Sequence, residues 1–524
     1  MELPADTTFQ KAFEHHKAGR LPQAAALYRE VLAIDGAHAD SLHLLGLIDL
    51  QSGRNESAAE HIAQAIAIRP KQATYHSDLG TALKNLGHFA EAESAYRAAL
   101  QLQPDLTAAH YNLGVLLRSQ GRLEEAIACY RAVVRLAPDH IQAHNNMGVA
   151  LKNLSRLDEA EACFATALRL KPDYTAALSN LGFILMYTGR IAEAEASYRE
   201  IVRREPQNPE AHTNLAHLLL LAGRLPEGWS EYEWRGRALA AHGGRLPFAQ
   251  PQWTGARIPD RVLLIHAEQG LGDTLQFCRY VPLIADRARV VLAVQPPLVS
   301  LLRNLEGAER VVAMSDALPA FDYHSPLLSL PRILDTTLDT IPACTSYLKV
   351  DDALTSIWAR RMGERKGLRI GLTWAGNPRL HLAGASATDR RRSIPLEAFA
   401  PLADLRGVQW ISLQKDAPAM HATQVPQGIQ LLDLMEQVSD FGDTAAIISN
   451  LDLVISVDTS VVHLAGALGK PIWLLNRFDT CWRWLLDRDD SPWYPTLRQF
   501  RQNAPGDWES VIDRVRQALV EHSI

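Results

Sequence analysis

Two hydrophobic rhythms divide the 524 residues. Up to about residue 236, apolar positions recur every three or four residues in short blocks, which predicts pairs of amphipathic helices joined by tight turns. AAHYNLGVLLRSQGRLEEAIACYRAVVRLAPD, residues 108–139, is one such block. Beyond residue 261 the rhythm changes. RVLLIHA, RVVLAVQ, LRIGLTWAGN, VQWISLQK, IQLLDL and LDLVISV are short apolar runs bounded by turn residues, with helical spacing between them. Such runs predict buried parallel strands alternating with helices.

The helical half repeats itself. Gly19, Gly53, Gly87, Gly121, Gly189 and Gly223 share one register of 34 residues, with Ser155 in the remaining place. Tyr28, Ile62, Tyr96, Tyr130, Phe164, Tyr198 and Tyr232 keep the same period, as do Pro70, Pro104, Pro138, Pro172 and Pro206. Small residues at Ala92, Ala126, Ala160 and Ala194 let the two helices of a unit approach closely, and each Pro ends a second helix. With its NLG and EEAIACYRAVVRLAPD signatures, the stretch 3–236 resembles the tetratricopeptide repeat, in about seven units. Each unit exposes an apolar face that only a neighbour covers, so the resemblance implies a right-handed α-solenoid with a concave groove.

One polar column shares this register: Asp78, Asn112, Asn146, Asn180 and Asn214, all on first helices. An amide offers a donor and an acceptor together, so a row of Asn can pair with an extended peptide backbone whatever its sequence. The column resembles the asparagine ladder of the protein O-GlcNAc transferases; the alternative is a row of solvated amides. It marks a candidate acceptor-peptide groove.

From Leu225 the repeat dissolves into LPEGWSEYEWR and AAHGGRLPFAQPQWTGARIPD, whose Trp229, Trp234, Phe248 and Trp253 need burial. Residues 237–260 therefore read as an ordered connector. Residues 261–365 and 366–524 read as two Rossmann-like halves meeting at the carboxyl ends of their strands, the final helix DWESVIDRVRQALVEH packing back against the pair. TLQFCRYVPLIADRA is expected as one helix.

Composition narrows the function classes. A net charge of −6 with no basic tract argues against nucleic acid as a partner. Five scattered cysteines lack metal-ligand or disulfide spacing, and no apolar run is long enough to span a bilayer, so a cytoplasmic location is expected. No Asp-x-Asp metal signature stands out, which favours metal-independent chemistry without a cofactor, and DRDD at 487–490 reads as a solvated turn.

GLGD after the first strand, LTWAGN opening the second half, DRRRSIPLEAF and VISVDTSVVHLAGALGKP occur in this order. The set resembles the heptosyltransferase-like group of GT-B glycosyltransferases, and most closely the bacterial proteins that join such a domain to tetratricopeptide repeats, among them flagellin-modifying glycosyltransferases. The resemblance implies an inverting transfer from a nucleotide sugar. Asp273 matches the family's proposed general base, and Glu268 in EQGLGD stands as a second candidate. Trp374, Gly376 and Asn377 of the WAGN turn, with Thr459, Ser460 and Val461 at a helix start, offer backbone N–H groups to donor phosphates. Arg392 occupies the place of a phosphate-neutralising Lys. Asp458 is the candidate for donor-sugar hydroxyls or an N-cap, and His463 either reaches the phosphate or packs in the helix. Trp482, Trp484, Trp493 and Tyr494 read as a structural plug.

The expected function is glycosyl transfer to Ser or Thr of a protein recruited by the repeats, with flagellin as one candidate. The alternative is a non-catalytic nucleotide-sugar-binding scaffold that assembles a surface-structure or secretion complex. A lipid acceptor fits less well, because the chain lacks a basic amphipathic docking helix.

Overall fold

The computed structural model describes residues 5–241, 248–377, 383–415 and 425–522, and the chain forms two compact units, Met1–Ile184 and Leu185–Ile524. The first unit is a stack of helix pairs, from Ala5–Lys17 with Leu21–Ile34 to Ile141–Asn153 with Leu157–Leu170. Tyr28, Ile62, Tyr96, Tyr130 and Phe164 are fully buried inside their pairs, and Gly46, Gly80, Gly114 and Gly148 on the first helices make room for the last four, since a Cβ there would stand 2.6–2.8 Å from them. Ser155 takes the left-handed turn conformation of the glycines it replaces, at φ 61°. Successive first helices touch one another, Ala39–Gln51 with Ala73–Asn85, then Thr107–Ser119, then Ile141–Asn153. This close contact within the first-helix layer places it on the inner side of the stack.

The second unit holds the last repeats together with the α/β region. Its first sheet contains β1 (Ile258–His266), β2 (Ala288–Val294), β3 (Arg310–Ala313) and β4 (Tyr323–Pro326), in the order β3-β2-β1-β4. The second contains β5 (Leu368–Thr373), β6 (Val408–Ser412), β7 (Leu431–Leu432), β8 (Leu453–Val457), β9 (Ile472–Asn476) and β10 (Leu497–Arg501), in the order β10-β9-β8-β5-β6-β7. All pairings are parallel. β8 and β9 are buried along their whole length, as parallel strands covered on both faces must be. Chain order reverses beside β1 in the first sheet and between β5 and β8 in the second. Ligands of such sheets bind outside the carboxyl ends at these switch points.

The compact division falls earlier than the end of the repeats at residue 236. The last repeat, Pro209–Leu221 with Leu225–Tyr232, shares its core with the α/β region: Ala216, Leu220, Trp229 and Tyr232 pack in one cluster with Phe277, Trp482 and Trp493. Trp229 meets Trp482 edge-on at 5.4 Å. Of the aromatics that mark the joint in sequence, Trp229 and Trp253 thus belong to the core of the second unit, whereas Trp234 and Phe248 are half-buried; the backbone N–H of Trp253 donates to the His324 carbonyl at 2.7 Å.

Two expected elements differ. The run after GLGD is an α-helix only over Leu271–Phe277 and continues as a 3₁₀ turn over Cys278–Ile284, because Pro282 cannot sustain α-helical hydrogen bonding. The final helix, Trp508–His522, packs on β10 and the Leu396–Leu402 turn of the second half, burying Val511, Ile512, Val515 and Leu519 with Phe399.

Candidate functional site

The predicted motifs converge where the two halves meet. GLGD follows β1, WAGN follows β5 and DTS follows β8, so all three turns lie at the switch points. The Leu271–Phe277 helix packs directly on the Ser460–Ala467 helix. Gly272 makes this possible, since a Cβ there would stand 2.7 Å from Cδ2 of His463.

Asp273 lies at this junction with both carboxylate oxygens engaged. Oδ2 accepts the Gly270 N–H at 2.9 Å, and Oδ1 pairs with the guanidinium of Arg483 from the other half. Arg483 also donates to Gln276 Oε1 at 2.9 Å and lies 4.2 Å above the Trp482 ring. Burial works against its charge, yet the Asp273 carboxylate holds its pKa above the ordinary arginine value. Nearby Arg279 is 3% exposed and spans the same interface, donating to the Trp493 carbonyl at 2.6 Å and to the Tyr347 hydroxyl at 2.9 Å.

Glu268 does not face a cleft. Its side chain is 3% exposed, and both oxygens are taken by Arg235, at 2.7 and 3.2 Å. A carboxylate so held ties the Arg235–Ala241 helix to the end of β1 and is out of reach of an acceptor hydroxyl.

The donor-side residues separate into two groups. The phosphate role expected for the WAGN backbone does not match the geometry: the N–H groups of Trp374 and Ala375 donate to Gln414 Oε1 at 3.2 and 2.9 Å, and that of Gly376 to Ser393 Oγ at 3.1 Å. Asn377, at the end of the turn, is exposed. These three donors are consumed inside the fold. Gly376 lies beneath the Arg392–Asp389 pair, with no room for a Cβ.

The helix start after β8 is different. Thr459 is the N-cap and provides no side-chain cap; its hydroxyl instead meets Ser456 Oγ at 3.2 Å. Asp458 is therefore not the cap. Its half-buried carboxylate makes no hydrogen bond among the described residues, whereas its carbonyl accepts Arg392 Nη1 at 2.9 Å. Arg392 is held from behind by the buried Asp389, with Nε at 2.9 Å from Oδ1. A fixed guanidinium, an uncapped helix N-terminus at Ser460 and Val461, and an unengaged carboxylate thus stand together.

His463 packs in the helix and does not reach outward. It is 5% exposed, its Nδ1 lies 2.9 Å from the Tyr494 hydroxyl, and its ring stacks on Trp484 at 5.3 Å. Burial and then the charge of Arg483 push its pKa down to about 4, so the ring is neutral at pH 7. Trp484, Trp493 and Tyr494 are likewise fully buried. DRDD carries an ion pair between Arg488 and the exposed Asp490.

One residue of this junction escaped the sequence reading. His217, on the last repeat's first helix and three positions past Asn214, lies within the field of Arg483 and Asp273; burial, then Arg483, hold its pKa down at about 4. Helical spacing from the ladder was the available signal, but nothing local linked a repeat residue to GLGD.

The ladder residues of the first unit are half-buried and partnered. Asp78 Oδ2 lies 2.7 Å from His43 Nε2, Asn146 Nδ2 donates to the Tyr111 hydroxyl at 3.1 Å, and Asn180 Nδ2 donates to Asn145 Oδ1 at 3.3 Å. Asn112 Nδ2 approaches Thr81 Oγ1 at 3.5 Å. Each reaches back to the preceding repeat. Asn214 stands in the same register in the second unit.

Comparison with known proteins assigns the repeats. Residues 15–80, 77–141, 151–213 and 185–228 match models of the tetratricopeptide repeat, so the N-terminal region is an array of these repeats. Among curated proteins, the chain is 28% identical over 323 residues to Protein FlbA of Caulobacter vibrioides, covering 56% of this chain and 52% of that one. It is 36% identical over 66 residues to cellulose synthase operon protein C of Komagataeibacter xylinus, 5% of that protein. The chain thus spans about half the length of Protein FlbA and a small part of the other. Similar solved structures include pilF of Pseudomonas aeruginosa, at 23% identity, 40% of this chain, 95% of that chain and a TM-score of 0.35. YrrB, described as a TPR protein with an unusual peptide-binding site, matches at 24% identity, 33% of this chain, 90% of that chain and a TM-score of 0.30. Among the described residues, no helix is long and apolar enough to cross a membrane.

Proposed function

We propose that the α/β region is a glycosyltransferase of GT-B arrangement, moving a sugar from a nucleotide-activated donor to Ser or Thr of a protein held by the repeats. The observation that carries this reading is the constellation after β8. The Asp458 carboxylate is half-buried without a hydrogen bond, beside an uncapped helix start and the anchored Arg392. An uncapped N-terminus and a guanidinium suit donor phosphates, and an unengaged carboxylate suits sugar hydroxyls. Asp273 remains the candidate base, facing the same junction from the other half. In this reading Arg483 orients the Asp273 carboxylate, and Glu268 is structural.

A second reading has its own support. Asp273 is occupied by Arg483 and Gly270, and an ion-paired carboxylate suits a latch between halves as well as a base. On that reading the region binds a nucleotide sugar without transferring it, and the repeats assemble a complex.

Intact-mass spectrometry of candidate surface proteins, flagellin first, from cells carrying wild-type chain or the Asp458→Ala variant separates the two. A sugar-sized mass lost in the variant supports transfer. Unchanged masses, with a nucleotide sugar still bound by the wild-type chain, select the scaffold.

A further inference from the structure

Three neighbouring strands of the second sheet, in the order β9-β8-β5, end in turns on one edge. Those after β5 and β8 carry WAGN and DTS. The turn after β9 begins with Arg477, which no motif marks in the sequence. β8 and β9 run parallel with Val457 opposite Leu475, so their turns start side by side, about 4.8 Å apart. Arg477 thus begins one strand spacing from the uncapped start of the Ser460–Ala467 helix.

Arg477 also reaches the helix that carries Arg392. Its Nη1 lies 3.5 Å from the Thr388 carbonyl, one turn before Arg392 on the Ala383–Arg392 helix, while Arg392 donates to the Asp458 carbonyl at 2.9 Å. The two guanidiniums border the end of one helix from neighbouring turns. Their countercharges differ. Arg392 pairs with Asp389 at 2.8 Å, whereas Asp479 is shared: Arg391 Nε holds Oδ2 at 3.0 Å, and Arg477 Nε stands 3.5 Å from Oδ1.

A guanidinium carries five N–H donors. Among the described residues those of Arg477 meet one carbonyl, at the outer limit of a hydrogen bond, and its Nε is buried with no hydrogen-bond partner. Yet the side chain is 11% exposed. The other buried arginines of this unit are better served: Arg235 donates to Glu268 and to the Tyr232 carbonyl, and Arg279 to the Trp493 carbonyl and the Tyr347 hydroxyl. Unspent donors in so closed a setting suit an anion rich in acceptor oxygens, as a phosphate is.

We propose that Arg477 is a second phosphate-binding cation of the donor site, gripping the anion from the β9 side while Arg392 and the N–H groups of Ser460 and Val461 hold it from the other. The inference rests on the nucleotide-sugar reading of this site and holds whether or not the sugar is transferred.

The test is isothermal titration of the full chain with ADP, GDP, UDP, dTDP and CMP, each alone. Wild type is expected to bind at least one of them, with affinity falling as salt rises. Arg477→Gln is expected to weaken that nucleotide at least about tenfold and to flatten its salt dependence. Arg477→Lys, which keeps the charge and loses the planar fork, recovers part of the loss. Salt dependence and recovery by Lys are readouts that a purely structural role would not move. Arg488→Gln, in the DRDD turn, stays within about twofold of wild type. If Arg392→Gln abolishes binding while Arg477→Gln stays within about twofold, or if Arg477→Lys binds no better than Arg477→Gln, the inference falls and the reading of the site stands. If wild type binds none of these nucleotides, the reading falls and takes the inference with it.

Discussion

The repeat face and the α/β junction both hold polar side chains in partly buried surroundings, but they recruit partners over different distances along the chain. On the repeat face a side chain finds its partner about one repeat away: Asn146 meets Tyr111 at a separation of 35 residues, and Lys152 meets Asn180 at 28. At the junction Asp273 meets Arg483 across 210 residues, and Arg279 meets the Trp493 carbonyl across 214. The first region is a sum of neighbour contacts, whereas the second is a latch that exists only when both sheets have formed. Polar substitutions should therefore be local and mild in the repeats, and global and severe at the junction.

The sharpest test is Arg483→Met. It leaves the Asp273 carboxylate without its cation at a buried interface, and removal of one partner of such a pair costs about 3–5 kcal/mol. Urea unfolding of the full chain is expected to show the second unit's transition displaced by that amount, with partial recovery on adding Asp273→Asn. A loss below about 1 kcal/mol would reduce the pair to a solvated contact.

Acid should distinguish the units next. His463 and His266 are 5% and 1% exposed, and their pKa values are pushed down to about 4, by burial first, then by Arg483 for His463 and by His324 for His266. The unfolded chain takes up these protons as pH falls below about 6.5, while the folded chain resists until about 4. Their stabilisation is thus complete above pH 6.5 and is lost as pH falls toward 4, at about 1.4 kcal/mol per unit per histidine. Hydrogen exchange at pH 7 and pH 5.5 is expected to report a larger loss in the second unit than in the first. Equal losses would break the contrast.

A smaller effect is expected of Gly272→Ala, which forces a methyl into His463 and spreads the two helix starts. Overpacking of this kind costs about 1–3 kcal/mol, and near-ultraviolet circular dichroism of the Trp484 and Tyr494 environment should change with it. The least disruptive is Asn146→Ala. Its hydrogen bond to Tyr111 contributes about 0.5–1.5 kcal/mol at most, and exchange protection outside the adjoining repeats should stay as in wild type.

The register of 34 residues, the large apolar residue of each pair and the alternation of strands with helices in the second half were legible in the amino-acid sequence, because each rests on local periodicity; the order of strands within each sheet was not. Even the exception at Ser155 was marked by its place in the register. Which donors at the site stay open was not legible. WAGN and DTS read alike as turns offering N–H groups, yet Gln414 and Ser393 close the first, while the second has no side-chain cap. Glu268 and Asp273 read alike as acids beside a glycine-rich turn, and only tertiary structure brings Arg235 to one and Arg483 to the other. Periodicity records how a chain contacts its near neighbours. The pairing of a charge depends on which distant residue the closed fold delivers to it, and a linear pattern does not encode that distance.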